Sequence, residues 1–114
     1  MIQNLKSKLP IFLNDWNDKD QVAKDFETNL DNVNILFASY SCANYSGDAF
    51  VLFEENNKLF EVNGGHCSCY GLEGQWEPEE TTIEALNYRL NKGKMGTSNY
   101  SDNEYATELK EFLN

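Results

Sequence analysis

Apolar residues recur at helical spacing in the first third of the chain, which predicts two helices there. The first is short and ends before Pro10, because the residue preceding a proline disfavours helical geometry. The second is predicted over about residues 19–30, since Asp18 and Gln21 have the spacing of a capping box. The periodic positions are Ile2, Leu5 and Leu9, then Val22, Phe26 and Leu30.

The middle of the chain changes to the pattern of strands. Residues 35–40 and 49–54 are rich in apolar and aromatic side chains, and residues 58–62 alternate polar with apolar. Turn residues separate the three segments, so they predict an antiparallel meander. Residues 75–77 are predicted as a short fourth strand that ends before Pro78.

Two further helices are predicted in the last third. Thr81 and Glu84 have capping-box spacing, and Gly93 suits the C-terminal end of the helix that follows. Ser101 and Glu104 repeat the pattern before a last helix. The apolar stripes are Ile83, Leu86 and Leu90, then Tyr105, Leu109 and Phe112.

These elements predict an α+β fold: an antiparallel sheet of three to four strands in a meander, with the N-terminal and C-terminal helices packed on one face. A chain of 114 residues fits one domain, which we expect to span residues 1–114. Loops at the end of the sheet are then the expected place of function.

The negative charge is concentrated in the middle of the chain. The net charge is −10, and between Asp25 and Glu84 twelve acidic residues face a single base, Lys58. This field repels phosphate backbones and anionic membranes, so neither direct nucleic-acid binding nor membrane binding is expected. It favours encounter with a basic protein, such as a nucleic-acid-binding effector, although acidity also serves solubility alone.

The expected compartment is the cytoplasm. No apolar run approaches the roughly 18 to 20 residues of a membrane span, and the N-terminus lacks the apolar core of a signal peptide. Three cysteines are an odd count, and they are expected to be thiols or metal ligands rather than a disulfide framework. The oligomeric state is left open by the sequence.

The stretch from Asn63 to Pro78 is chemically the most distinctive part of the chain. It contains the only histidine, two of the three cysteines, four of the seven glycines and one of the two tryptophans. His66, Cys67 and Cys69 with Cys42 have the ligand chemistry of a zinc site, but their spacing does not follow the usual C-x2-C pattern. We therefore expect no cofactor and keep zinc as an alternative.

The same stretch suggests two other hypotheses. Cys67 or Cys69 could act as a nucleophile with His66 as base and Glu73 or Asp48 as the orienting group, which would make the protein a small thiol enzyme. Adjacent histidine and cysteine residues rarely reach that geometry, so we favour a recognition loop with an acidic rim over an enzyme. The predicted binding residues are Tyr45, Asp48, His66, Tyr70, Glu73, Trp76, Glu77, Glu79 and Glu80.

The run His-Cys-Ser-Cys-Tyr-Gly-Leu-Glu-Gly-Gln-Trp-Glu-Pro at residues 66–78, with Tyr-Ser-Gly-Asp-Ala at 45–49, resembles a family of small phage and prophage proteins of unassigned activity. The resemblance covers roughly residues 35–90. It implies a phage setting and the cytoplasm of an infected bacterial host. Small acidic phage proteins often inhibit host enzymes or defence systems, and anti-CRISPR proteins are among them. The resemblance implies no reaction.

Overall fold

The structure is a computed structural model, and it describes residues 2–43, 46–66, 71–93, 95–97 and 104–114. Its strands form one mixed sheet whose spatial order follows the chain order, β1 to β5. The strands are β1 (Ile11–Asn14), β2 (Asn34–Ala43), β3 (Ser46–Glu55), β4 (Lys58–His66) and β5 (Glu79–Thr81). The helices are α1 (Ile2–Lys6), α2 (Lys19–Phe26), α3 (Ile83–Lys92) and α4 (Ala106–Leu113).

The predicted meander is confirmed for β2, β3 and β4, which pair antiparallel along nearly their full lengths. The sheet is larger than predicted, because β1 pairs in parallel with β2. A parallel neighbour needs a crossover connection, and α2 provides it. The fourth predicted strand was misplaced: residues 75–77 are not a strand, and β5 follows Pro78 and pairs with β4.

Hydrophobic clusters cover both faces of the sheet. On the first face, Phe50 and Leu52 of β3 pack with Leu86 of α3 and Leu109 of α4. On the second face, the alternate residue Val51 joins a cluster that also contains residues of α2 and Trp16. The prediction that the N-terminal and C-terminal helices pack on one face is confirmed for α1, α3 and α4, since Leu5 of α1 joins the first cluster, but it was wrong for α2. Because α2 connects two parallel strands, it crosses the face opposite to α3 and α4.

Local signals explain where the longer helices begin and end. The Asp18 side chain caps α2 by accepting a hydrogen bond from the Gln21 N–H at 2.9 Å. The helix ends at Phe26 rather than near residue 30, because Glu27 takes a left-handed conformation with φ 53°. In α3 the capping residue is Thr82, not Thr81, whose side chain is buried at the end of β5.

The last helix confirms its apolar stripe but not its predicted start. Tyr105, Leu109 and Phe112 are all buried. The helix begins at Ala106 after Tyr105, which makes no side-chain cap. Glu104 thus precedes the helix, and Ser101 of the predicted capping box lies outside the described residues. No helix in the described ranges has the length and apolar character needed to cross a membrane.

Candidate functional site at the sheet end

A depression of about 200 Å³ lies where β3 begins and β4 ends. That volume exceeds the space of several water molecules. Its walls come from both strands, from the segment 95–97 and from the residues that precede α4. The lining residues are Asp48, Ala49, Asn63, Gly64, Gly96, Thr97, Glu104 and Tyr105.

Gly96 holds the start of α4 against this depression. Its carbonyl oxygen accepts hydrogen bonds from the N–H groups of Glu104, Tyr105 and Ala106, at 2.7, 3.1 and 3.3 Å. The first N–H groups of a helix have no partner within the helix, and here a backbone carbonyl replaces a side-chain cap. Gly96 has φ +78°, and a Cβ atom there would lie 2.7 Å from Cα of Ala106. Only glycine fits, so this position fixes Glu104 and Tyr105 in space.

Glu104 and Asp48 bring two carboxyl groups to the same depression. Partial burial raises the pKa of Glu104, and the negative charge of Asp48 raises it further, while a hydrogen bond from Ser41 acts in the opposite direction. Asn14 at the end of β1 donates to the Glu104 carbonyl at 3.1 Å and to the Ser39 hydroxyl at 2.7 Å. Two like charges therefore converge here from β3 and from the chain before α4.

Tyr105 forms the inner wall of the depression. Its side chain stacks on Phe50 with a centroid distance of 5.0 Å, and only 8% of the residue is exposed. Burial raises the pKa of its hydroxyl, which keeps the group protonated. The positive charge of Arg89 acts in the opposite direction, whereas the negative charges of Glu104, Glu61 and Asp48 raise the pKa further. Among the described residues, no buried side-chain nitrogen or oxygen lacks a hydrogen-bond partner.

The neighbouring carboxylate on the same face is already paired. Glu61 of β4 is 6% exposed and accepts a hydrogen bond from Arg89 of α3. Burial raises the pKa of Glu61, but hydrogen bonds from Arg89, Asn63 and Thr81 outweigh that effect and the net shift is downward. Arg89 is the only arginine in the chain. Its guanidinium is thus engaged with Glu61.

Near the C-terminal end of β4, the side chain of Gln75 forms the hydrogen bonds that a neighbouring strand would otherwise form. Its Oε1 accepts from the Gly65 N–H at 2.8 Å, and its Nε2 donates to the carbonyls of Gly65 at 2.7 Å and Gly71 at 2.6 Å. β5 is too short to reach this part of β4. The primary amide has the donor and acceptor of a peptide group, so it satisfies the open edge of β4 without a further strand.

Two glycines of this distinctive stretch have identifiable roles. A Cβ atom on Gly64 would lie 3.1 Å from Cδ2 of Leu72 and 3.3 Å from Oε1 of Gln75, so a side chain would push the segment 71–76 away from the strand. Gly74 turns the chain with φ +81°. Trp76 stacks on Phe53 with centroids 5.6 Å apart. The segment is anchored to the second face of the sheet.

The predicted acidic rim lies on the outside of the molecule. Glu73, Glu77, Glu79 and Glu80 are all exposed, and Glu79 and Glu80 belong to the edge strand β5. Trp76, also predicted to bind a partner, is half-buried in the aromatic cluster of the second face. Asp48 is exposed on the first face, beside the depression. Asp48 and Glu104 therefore line one depression at the sheet end, while Glu79 and Glu80 lie on the edge strand β5.

Several predicted site residues cannot be placed. Tyr45, Cys67, Cys69 and Tyr70 lie outside the described residues, as do the side chains of Cys42 and His66. Within the ranges that the structure does describe, no three His, Cys, Asp or Glu side chains form a group able to hold a metal ion. The zinc and thiol hypotheses remain predictions.

Sequence reasoning did not identify Glu104, Tyr105 or Gly96 as parts of a site. Glu104 was assigned to a capping box and Tyr105 to a core stripe, and the second assignment is correct for the ring. The sequence signal was weak. Gly96 and Glu104 are eight residues apart in a polar segment, and nothing in that spacing indicates that both would lie beside β3.

The comparisons with known proteins identify no relative. No protein-family model matches the chain, no curated protein matches it, and no solved structure matches it.

Proposed function

We propose that the protein binds and inhibits a basic protein of a bacterial host, one that handles nucleic acid or acts in antiviral defence. The proposal rests on the charge of the exposed glutamates in β5 and in the segments next to it in the chain, called here the β5 side: Glu73, Glu77, Glu79, Glu80 and Glu84. The host setting rests on the resemblance to small phage proteins. An inhibitor of this kind acts stoichiometrically and needs no reactive group.

The observation that carries the proposal is a run of exposed carboxylates for which the described residues show no ion pair. Glu73, Glu77, Glu79, Glu80 and Glu84 are exposed along the segment from the Gln75 turn to the start of α3. The ion pairs found among the described residues engage Glu54 and Glu61 instead. Uncompensated surface charge of one sign attracts a partner of the opposite sign and accelerates association.

The alternative, a thiol-dependent or zinc-dependent enzyme, depends on His66, Cys67 and Cys69. Their side chains lie outside the described residues, and no observation in the remainder of the chain favours that chemistry. We therefore develop the binding proposal alone.

The test begins with affinity capture from host lysate and continues with binding kinetics for the captured basic protein. The triple variant Glu77→Lys, Glu79→Lys, Glu80→Lys should lower the association rate about tenfold at low salt, with a smaller change in dissociation. The effect should shrink as salt is added, because exposed charges are screened.

A matched control changes the net charge equally at exposed positions elsewhere: Asp20→Lys, Asp31→Lys, Glu111→Lys. Its association rate should fall much less. Equal rates for the two triple variants would remove the β5 side from the proposal, and capture of no basic protein would contradict the proposed function.

A further inference from the structure

We propose that the outer edge of β5 binds an extended basic segment of the partner, which pairs with β5 as an additional strand of the sheet. The inference rests on the proposed function, because it names the part of the β5 side that the basic partner contacts and the form in which the partner binds. In strand addition, backbone hydrogen bonds supply affinity and the side chains of the added segment supply specificity.

The turn between β3 and β4 fixes the direction of the backbone groups in β4. Residues 56–57 have φ values of 55° and 64°, which are typical of a two-residue hairpin turn. In such a turn the next residue donates its N–H across the hairpin, so Lys58 points to β3. Because these directions alternate along an antiparallel pair, Phe60 also points to β3 and Glu61 points to β5. Gly65 has the same direction as Glu61, and it bonds to a glutamine side chain rather than to β3.

The same alternation determines which backbone groups of β5 face outward. Glu79 is paired with Glu61, which points to β5, so these two residues exchange backbone hydrogen bonds. Glu80 is paired with Phe60, which points to β3, so the N–H and C=O groups of Glu80 are directed away from β4. Thr82 continues the extended geometry with φ −136° and ψ 161°. Its N–H is therefore directed outward together with the backbone groups of Glu80.

These outward groups are accessible on the surface of the protein. β5 is the last strand of the sheet in spatial order, and both Glu80 and Thr82 are exposed. Among the described residues, neither of the two N–H groups donates to another backbone group. A sheet edge with unpaired N–H and C=O groups is a template for a further strand.

The charge around this edge favours a basic segment over a second copy of the chain. Glu79 and Glu80 are exposed on β5, and Glu77 and Glu84 are exposed on either side of it. Side chains on neighbouring strands interact when they lie opposite each other, so lysine or arginine in the added strand would meet these carboxylates favourably. A second copy would instead bring its own glutamates to the same edge, and like charges on an edge strand prevent such pairing.

A groove beside the edge accommodates a side chain of the added segment. It has a volume of about 280 Å³, and Glu80 and Thr82 of the edge belong to its lining. Half-buried Ile83 gives the groove an apolar part, and Glu84 adds a second carboxylate beside Lys58. Lysine and arginine place their methylene groups along apolar surface while the charged end meets polar groups.

The experiment titrates the isotopically labelled protein with the peptide acetyl-Lys-Val-Arg-Val-Lys-amide at neutral pH and low salt. The control peptide has the same sequence and charge, but its valine and arginine residues are N-methylated and lack those backbone donors. We expect saturable NMR shifts of the Glu80 and Thr82 amides, and slower hydrogen exchange of the Glu80 amide, with the first peptide. The N-methylated peptide should bind at least about tenfold more weakly, because backbone hydrogen bonds are lost.

Two substitutions at one position separate strand addition from the effect of charge. Glu80→Gln and Glu80→Pro remove the same carboxylate, but only proline also removes the outward N–H. Proline is tolerated on an edge strand where the N–H faces solvent, so the pairing of Glu79 with β4 should persist. Glu80→Pro should bind the peptide at least about fivefold more weakly than Glu80→Gln. Denaturant unfolding checks that both variants fold, and the N-methylated peptide carries the test if Glu80→Pro does not.

The inference would be overturned by a peptide that does not bind, by equal affinity for the two peptides, or by equal affinity of folded Glu80→Pro and Glu80→Gln. The proposed function fails separately. If the captured basic protein binds these two variants equally but associates more slowly with the triple lysine variant, strand addition is wrong and the proposed function stands. If the peptide pairs with β5 but no basic protein is captured, the edge accepts a basic strand and the proposed function fails.

Discussion

Two carboxyl groups associated with the first face of the sheet have opposite surroundings. Glu61 is buried and receives hydrogen bonds from Arg89, Asn63 and Thr81, so its pKa is held below the ordinary value of 4.5. Glu104 is partly buried and faces Asp48, so its pKa is raised above 4.5. Burial raises the pKa of the Tyr105 hydroxyl, and the charges of both carboxylates raise it further.

The difference separates a carboxylate that stabilises the fold, Glu61, from one that does not, Glu104. Arg89, the only arginine in the chain, pairs with Glu61 and so joins α3 to β4. Removing Arg89 would leave the buried charge of Glu61 without a partner. The second carboxyl pair receives no cation from the described residues. We interpret the pair of Glu61 and Arg89 as structural.

The contrast also predicts opposite dependence on pH. A carboxyl with a lowered pKa, such as Glu61, contributes stability that is present above pH 4.5 and is lost as pH falls through its folded pKa. A carboxyl with a raised pKa, such as Glu104, lowers stability at neutral pH. That cost is relieved as pH falls through its folded pKa toward 4.5.

The largest expected effect comes from breaking the structural pair. Arg89→Met should destabilise the protein by about 2 to 3 kcal/mol, somewhat less than for a fully enclosed pair. The reason for the discount is that the Arg89 side chain is 42% exposed. Denaturant unfolding measures this change, and Lys92→Met in the same helix, at an exposed position, provides the control.

A double variant sharpens the result. Glu61→Met combined with Arg89→Met should recover most of the lost stability, because no buried charge is left without a partner. If Arg89→Met behaved like Lys92→Met, Glu61 would not depend on its cation, and the contrast between the two carboxyl sites would collapse.

The parts of this fold that the sequence predicted are those governed by local spacing. Residues close together in the sequence determine these features. They are the Asp18 cap, the three meander strands and the apolar stripe of Tyr105, Leu109 and Phe112. Period and capping decide such elements before tertiary packing does.

The wrong predictions concern segments whose structure depends on contacts with distant parts of the chain. β1 has only four residues, and it is a strand because it pairs in parallel with β2. The hydrophobic pattern of those four residues does not indicate this pairing. Residues 75–77 were predicted as a strand, but it is the side chain of Gln75, not its backbone, that forms hydrogen bonds with the backbone of Gly65 in β4. A four-residue shift in the end of α2 followed from the left-handed Glu27.

The candidate site was predicted only in part. Asp48 was proposed as a binding residue, but its neighbour Glu104 is 56 positions away in the chain, and no periodicity relates them. Hydrogen bonds from the N–H groups of residues 104–106 to the Gly96 carbonyl hold Glu104 at the depression that Asp48 also lines. That contact depends on how the segment 95–97 lies against α4, which spacing alone does not encode.

A smaller effect is expected at the unpaired carboxyl group. Glu104→Gln should stabilise the protein at pH 7 by a few tenths of a kcal/mol, roughly the size of exposed ionic interactions, because it removes one of two like charges. The advantage should decline as pH falls, since the wild-type carboxyl then becomes neutral as well. Glu111→Gln serves as the exposed control, and an equal or greater gain there would show that Glu104 has no special environment.

The central claim is that its hydrogen-bond partners favour the charged form of Glu61, whereas burial and the charge of Asp48 disfavour the charged form of Glu104. Carbon-detected NMR of the side-chain carboxyls measures Glu61 and Glu104 in a single pH titration of the free protein. The account predicts that Glu61 titrates below 4.5 and Glu104 above 4.5, and that Asp48→Asn lowers the pKa of Glu104 while leaving Glu61 nearly unchanged. A Glu104 carboxyl that titrates at or below 4.5, or that ignores Asp48→Asn, would contradict it.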